Sequence, residues 1–247
     1  MNLALNFGLH RKGFAIHAFA FSLYLSCTPT DGYAQTTIPT PAPCTLQEGF
    51  TVSQDANSAY ITSLVSQIRQ SSYPQLAPIE LRVKTFHSTA DYFQTRFSVS
   101  RLVLLRRMRY FVEVNPDLFS RQAPAQGVCA ILAHELVHIA SLSQGNRLRR
   151  FGLVRLISKG FSRKFERRTD LEAIHLGYGD GLKTYRTWVY GHIPPASLAE
   201  KRKRYFSPEE ISSLQEGLKR NSELLAYWRK HIPLSLPEIT SSPGYWH

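Results

Sequence analysis

Beyond its first thirty residues the sequence has no apolar run that approaches the roughly 18 residues of a membrane span, so the remainder is not expected to cross a bilayer. No internal repeat stands out, which sets repeat architectures aside. Carboxylates are scarce, 18 Asp and Glu against 30 Lys and Arg, for a formal charge of +12. Such an excess suits nucleic acid, anionic lipid or plain solubility. No aromatic-interleaved nucleic-acid module accompanies it, and nucleic acid is not an expected partner. Cysteine is limited to Cys27, Cys44 and Cys129. A chain of 247 residues can bury a core in one domain, and one domain with extensions is the reading taken.

What is present begins with a targeting pattern. Arg11 and Lys12 precede an apolar run from Gly13 to Cys27, followed by polar TPTDGYAQ. Gly32 and Ala34 suit the small-residue positions of a cleavage site, which makes residues 1–34 a signal peptide and the protein an exported one, periplasmic or secreted. An uncleaved anchor and a lipoprotein modified at Cys27 are the alternatives. Removal of the leader leaves Cys44 and Cys129, an even number where disulfides persist. They are the candidate bridge; two unpaired thiols are the plainer alternative.

Residues 35–49 are rich in Thr and Pro and read as an extended arm. The domain is expected over 50–232, with 233–247 as an irregular tail. Tyr60, Ile61, Leu64, Val65 and Ile68 recur at helical spacing within Gln54 to Arg69. Residues 79–86 alternate as a strand, Ser88 with Asp91 predicts a short helix from Thr89 to Phe97, and 103–114 reads as a second strand. Further helices are expected from about Arg163 to Leu176, around Tyr185 to Tyr190, and from Ser207 to about His231, the last opened by Ser207-Pro208-Glu209-Glu210. The fold class is therefore α+β, mainly helical, with a small sheet ahead of the central helix.

That central helix is VCAILAHELVHIAS, residues 128–141, and it carries His134, Glu135 and His138. At about 100° per residue the two histidines project roughly 40° apart on one face, which lets both imidazoles reach one metal ion. Chance would produce the triplet in about one or two such chains in a hundred. Here the flanks are apolar on nearly every side, as in a buried helix, where two imidazoles and a carboxylate are costly without a partner. Zinc in a catalytic site takes three protein ligands and keeps a fourth position open. The pattern supplies two.

Residues 139–145 lack a His-x-x-Gly-x-x-His extension, so the third ligand is sought further on. Glu166 is the first carboxylate after Glu135, and Asp170 lies four residues beyond on the same helical face; Glu172 points elsewhere. Glu166 is the candidate ligand, and Asp170 the candidate acceptor for the free ring nitrogen of a ligand histidine. The plainer reading pairs both carboxylates with Arg163, Lys164 or Arg167 on the surface.

HELVH at 134–138 followed by Glu166-x-x-x-Asp170 resembles the gluzincin metallopeptidases of the HtpX and CAAX prenyl protease type. The likeness loosely covers 79–190 and departs in having no multiple membrane spans and Thr169 where Ala is usual. The resemblance implies a zincin-like domain, a Zn2+ cofactor, Glu166 as third ligand, and a metalloendopeptidase acting on a polypeptide substrate with Glu135 as proton carrier. Tyr178, Tyr185, Arg186 and His192 are in the right part of the chain to steady an oxyanion, and the choice among them stays open. The reading from another class is a catalytically silent zinc-binding or interaction protein with the same fold. Finally, residues 147–164 interleave apolar and basic side chains, which suits peripheral contact with an anionic membrane; a solvated cationic hairpin is the plainer alternative.

Overall fold

The computed structural model describes residues 54–98, 100–101, 104, 106–143 and 159–246. The expected leader, the Thr/Pro-rich arm, Cys27, Cys44 and residues 147–158 of the basic segment lie outside them. Cys129 is buried and disulfide-bonded, and its partner also lies outside the described residues.

The first helix, α1 (Gln54–Ser72), buries Ile61, Leu64, Val65 and Ile68, the stripe that its spacing predicts. A three-stranded sheet follows: β1 (Glu80–Thr85), β2 (Phe93–Phe97) and β3 (Arg109–Val114), in the order β1-β3-β2. β3 runs parallel to β1 and antiparallel to β2, with Val112 opposite both Val83 and Thr95. Tyr110, Val112 and Val114 alternate into the helical core.

β2 corrects the helix expected from Thr89 to Phe97. Ser88 Oγ accepts from the amides of Ala90 and Asp91, so the apparent cap is a turn. Past the turn, Gln94 and Arg96 both reach Glu113 on β3, at 2.8 Å each. These cross-strand partners fix the segment as a strand. The strand expected over 103–114 is shorter, since residues 106–108 have no regular structure.

The central helix is α2 (Ala125–Ser143), buried continuously from Gly127 to Ala140. By length and apolarity it would suit a membrane, but protein covers its sides. It packs on α3 (Lys159–Ala173) and most extensively on α4 (Gly179–Tyr190). A widened turn, Ile174–Tyr178, joins α3 to α4, with Gly177 at φ 88°. α3 starts before the expected Arg163.

Pro195 is the first residue of α5 (Pro195–Arg204), where a missing amide costs nothing. α6 (Pro208–Arg220) opens with the full capping box of Ser207 and Glu210. The single helix expected to reach His231 ends at Asn221 (φ −143°), and α7 (Leu224–Lys230) follows. The expected irregular tail is also corrected. It holds α8 (Leu236–Thr240), and Ile239 and Tyr245 are buried, the latter beside Trp228. The apolar residues of the tail complete the core.

Candidate metal centre

α2 delivers His134 and His138 and α3 delivers Glu166, all three buried. Glu166 Oε2 lies 3.3 Å from His134 Nε2 and 3.1 Å from His138 Nε2. One ligand atom from each residue falls within 4.8 Å of the other two, and no other group of three or more such residues occurs among the described residues. The surface-pair alternative for Glu166 and Asp170 is thereby replaced by a buried arrangement. Arg167 turns away to α6, where its guanidinium grips Glu210 at 2.9 and 3.2 Å. That fork fixes the helix that presents Glu166.

Asp170 is fully buried. Its Oδ1 lies 2.8 Å from His134 Nδ1, off the straight hydrogen-bond line, so the contact is best described as an electrostatic pairing. The same oxygen accepts from Arg186 at 2.9 Å, and Oδ2 accepts from the Phe206 amide at 3.1 Å. Burial works against ionisation of Asp170, but the Arg186 charge and His134 outweigh it and hold the carboxyl below its ordinary range. For His134, burial alone would disfavour the cation. Asp170, then Glu166 and Glu135, reverse that and push the imidazole up to about 9. Burial likewise opposes charge on Glu166, and His138 and His134 together bring its carboxyl down.

These shifts and the geometry express one fact. Both ring nitrogens of His134 face a carboxylate, Nδ1 toward Asp170 and Nε2 toward Glu166, which is why the ring holds its second proton so firmly. A metal cation would take the place of the Nε2 proton between His134 and Glu166. The donor set of two imidazoles and one carboxylate fits a divalent transition ion, and Cys is absent from it.

Glu135 sits one residue from the first ligand. Its Oε2 is 2.7 Å from Thr95 Oγ1 on β2, whose hydroxyl also lies 3.2 Å from the Glu135 carbonyl oxygen. Thr95 was not a sequence candidate, because a helical reading of its segment hid the face it shares with Phe93 and Phe97. Thr169, Phe165 and Tyr205 were missed too. Thr169 Oγ1 is 3.3 Å from His138 Nδ1, the Phe165 ring stacks on His138 at 5.0 Å, and the Tyr205 ring stands 5.9 Å from His134. Helical spacing from Glu166 could have revealed the first two; Tyr205 follows α5 and had no local signal.

The four oxyanion candidates have other partners. The Tyr178 hydroxyl bonds Ser72 at 2.7 Å. Tyr185 is buried against Phe93 and Trp188. Arg186 is committed to Asp170, and the His192 ring Nδ1 lies 2.7 Å from the Trp188 carbonyl. Arg186 connects to His134 through Asp170. The chain matches no protein-family model, no curated protein and no solved structure.

Proposed function

We propose that the chain is a zinc-dependent metalloendopeptidase with a zincin-like domain, exported by its amino-terminal segment and acting on exported or envelope polypeptides. The observation that carries this reading is the convergence of His134, His138 and Glu166, with Glu135 adjacent on the same helix. His134, His138 and Glu166 would hold the ion, which when bound supplies Lewis acidity toward a peptide carbonyl and acidifies water.

The remaining chemistry belongs to the chain. Glu135 does not face the shared Glu166 oxygen; its carboxylate meets the Thr95 hydroxyl, at the edge strand of the sheet. From there it takes a proton from the attacking water and returns it to the leaving amine nitrogen. Thr95 donates to that carboxylate and orients it. Asp170, backed by Arg186, faces His134 Nδ1 and so turns Nε2 toward Glu166, where it would meet the ion. A silent zinc-binding protein would need no carboxylate positioned beside the ligands in this way.

The test is metal analysis of purified protein together with digestion of a broad peptide library. Stoichiometric zinc and cleavage that disappears in Glu135→Gln support the reading. Zinc without cleavage in the parent protein supports the silent protein instead, and no zinc removes both.

A further inference from the structure

Thr169 is fully surrounded, 2% exposed, on the same helix as Glu166 and Asp170. Its hydroxyl has two neighbours. It donates to the Phe165 carbonyl one turn back at 2.9 Å, and it lies 3.3 Å from His138 Nδ1. A hydroxyl owns one hydrogen, and a backbone carbonyl can only accept. With that hydrogen given to Phe165, the oxygen turned to His138 can only accept, and Nδ1 must carry the ring hydrogen. That leaves His138 Nε2 for Glu166 Oε2, 3.1 Å away: with a metal bound it would be the ligand atom, and without one its hydrogen goes to the carboxylate.

Resting on the metal-site reading above, we infer that Thr169 is a positioning residue that fixes the His138 tautomer and ring orientation for metal binding, as Asp170 does for His134. Phe165 completes the restraint, since its ring lies 27° from parallel against the imidazole and resists rotation about χ2. One face of α3 thus supplies a ligand and the outer support of both histidines. The common role of a buried helical threonine is the bond to its own helix, which needs no second partner. If packing were the whole role, valine would fill the same volume without a hydroxyl to satisfy.

The experiment compares the parent chain with Thr169→Val and Thr169→Ser. Zinc affinity is read by competition with a chromophoric chelator, and the His138 tautomer by nitrogen NMR of the metal-free protein. Loss of an outer partner of a ligand histidine typically weakens metal binding about 10- to 100-fold. Thr169→Val is expected to fall in that range and to lose the fixed hydrogen on His138 Nδ1, and Thr169→Ser to restore both readouts. Parental zinc affinity in Thr169→Val, or a His138 Nδ1 without hydrogen in the metal-free parent protein, overturns the inference. If the parent takes up no zinc, the metal reading fails, and the tautomer still reports on Thr169 separately.

Discussion

Thr95 Oγ1 and Glu135 Oε2 lie 2.7 Å apart, joining the edge strand β2 to the helix that carries both histidines. The bond is local in space and remote in sequence, and it gives the Glu135 carboxylate a defined direction. Hydrogen bonds to charged groups are worth about 1.5–3 kcal/mol. Thr95→Val is therefore expected to lower turnover by at least about tenfold, each factor of ten corresponding to about 1.4 kcal/mol, with zinc content unchanged. Steady-state kinetics on a cleaved library peptide, beside metal analysis, measure this. Parental turnover in Thr95→Val would remove the orienting role.

His134, His138 and Glu166 share one ion in the proposed function, so Ala at any one should strip most of the zinc. Glu135→Gln should retain zinc and lose cleavage, because its carboxylate faces Thr95 and not the shared Glu166 oxygen. Since the ion binds only the folded arrangement, chelation should lower the melting temperature of the parent protein. An equal melting temperature with and without chelator would show that the triad holds no ion.

Arg186 and Asp170 are a buried ion pair, 3% and 0% exposed, and Asp170 also meets His134 and the Phe206 amide. Removing one partner of such a pair leaves a charge without compensation, at a cost of about 3–5 kcal/mol. Arg186→Met should be destabilised by roughly that amount in urea unfolding. A loss under about 1 kcal/mol would mean that His134 and the Phe206 amide suffice to hold the carboxylate.

The local rules carried the reading a long way. α1, β1, α2 and the capping box at Ser207 were legible because their signals are periodic or lie within four residues. The site was legible for the same reason: His134 to His138 and Glu166 to Asp170 are each one turn apart. β2 was not, since five residues carry little periodicity and its identity comes from Glu113 on β3. The break at Asn221 was hidden because Leu214, Leu218, Leu224 and Trp228 continue an apolar pattern across it. Both helices lean on one core, while the Asn221 side chain caps Glu223 and reaches Gly244. Thr169 shares a face with Glu166 but has no charge to advertise it.

The contact of α2 with α4 at Gly181 sets the last prediction. A Cβ on Gly181 of α4 would lie 2.5 Å from the Gln126 carbonyl oxygen and 2.6 Å from Ala130 Cβ, both on α2. Neither atom is the flexible end of a side chain, so the helices must part. Alanine gains about 1 kcal/mol over glycine in a helix interior, whereas overpacking of a core costs typically about 1–3 kcal/mol. With backbone as the obstacle, the cost should win, and Gly181→Ala should be less stable than the parent by about 1 kcal/mol or more. Gly179 is the internal control. A Cβ there meets only the Gln215 side chain, at 2.6 Å, which can swing aside. Gly179→Ala should therefore stay within about 0.5 kcal/mol of the parent. Urea denaturation of the two variants decides the matter. Equal stability would mean that α2 and α4 can separate without loss, and the crossing would then not be what holds the histidine helix against the domain.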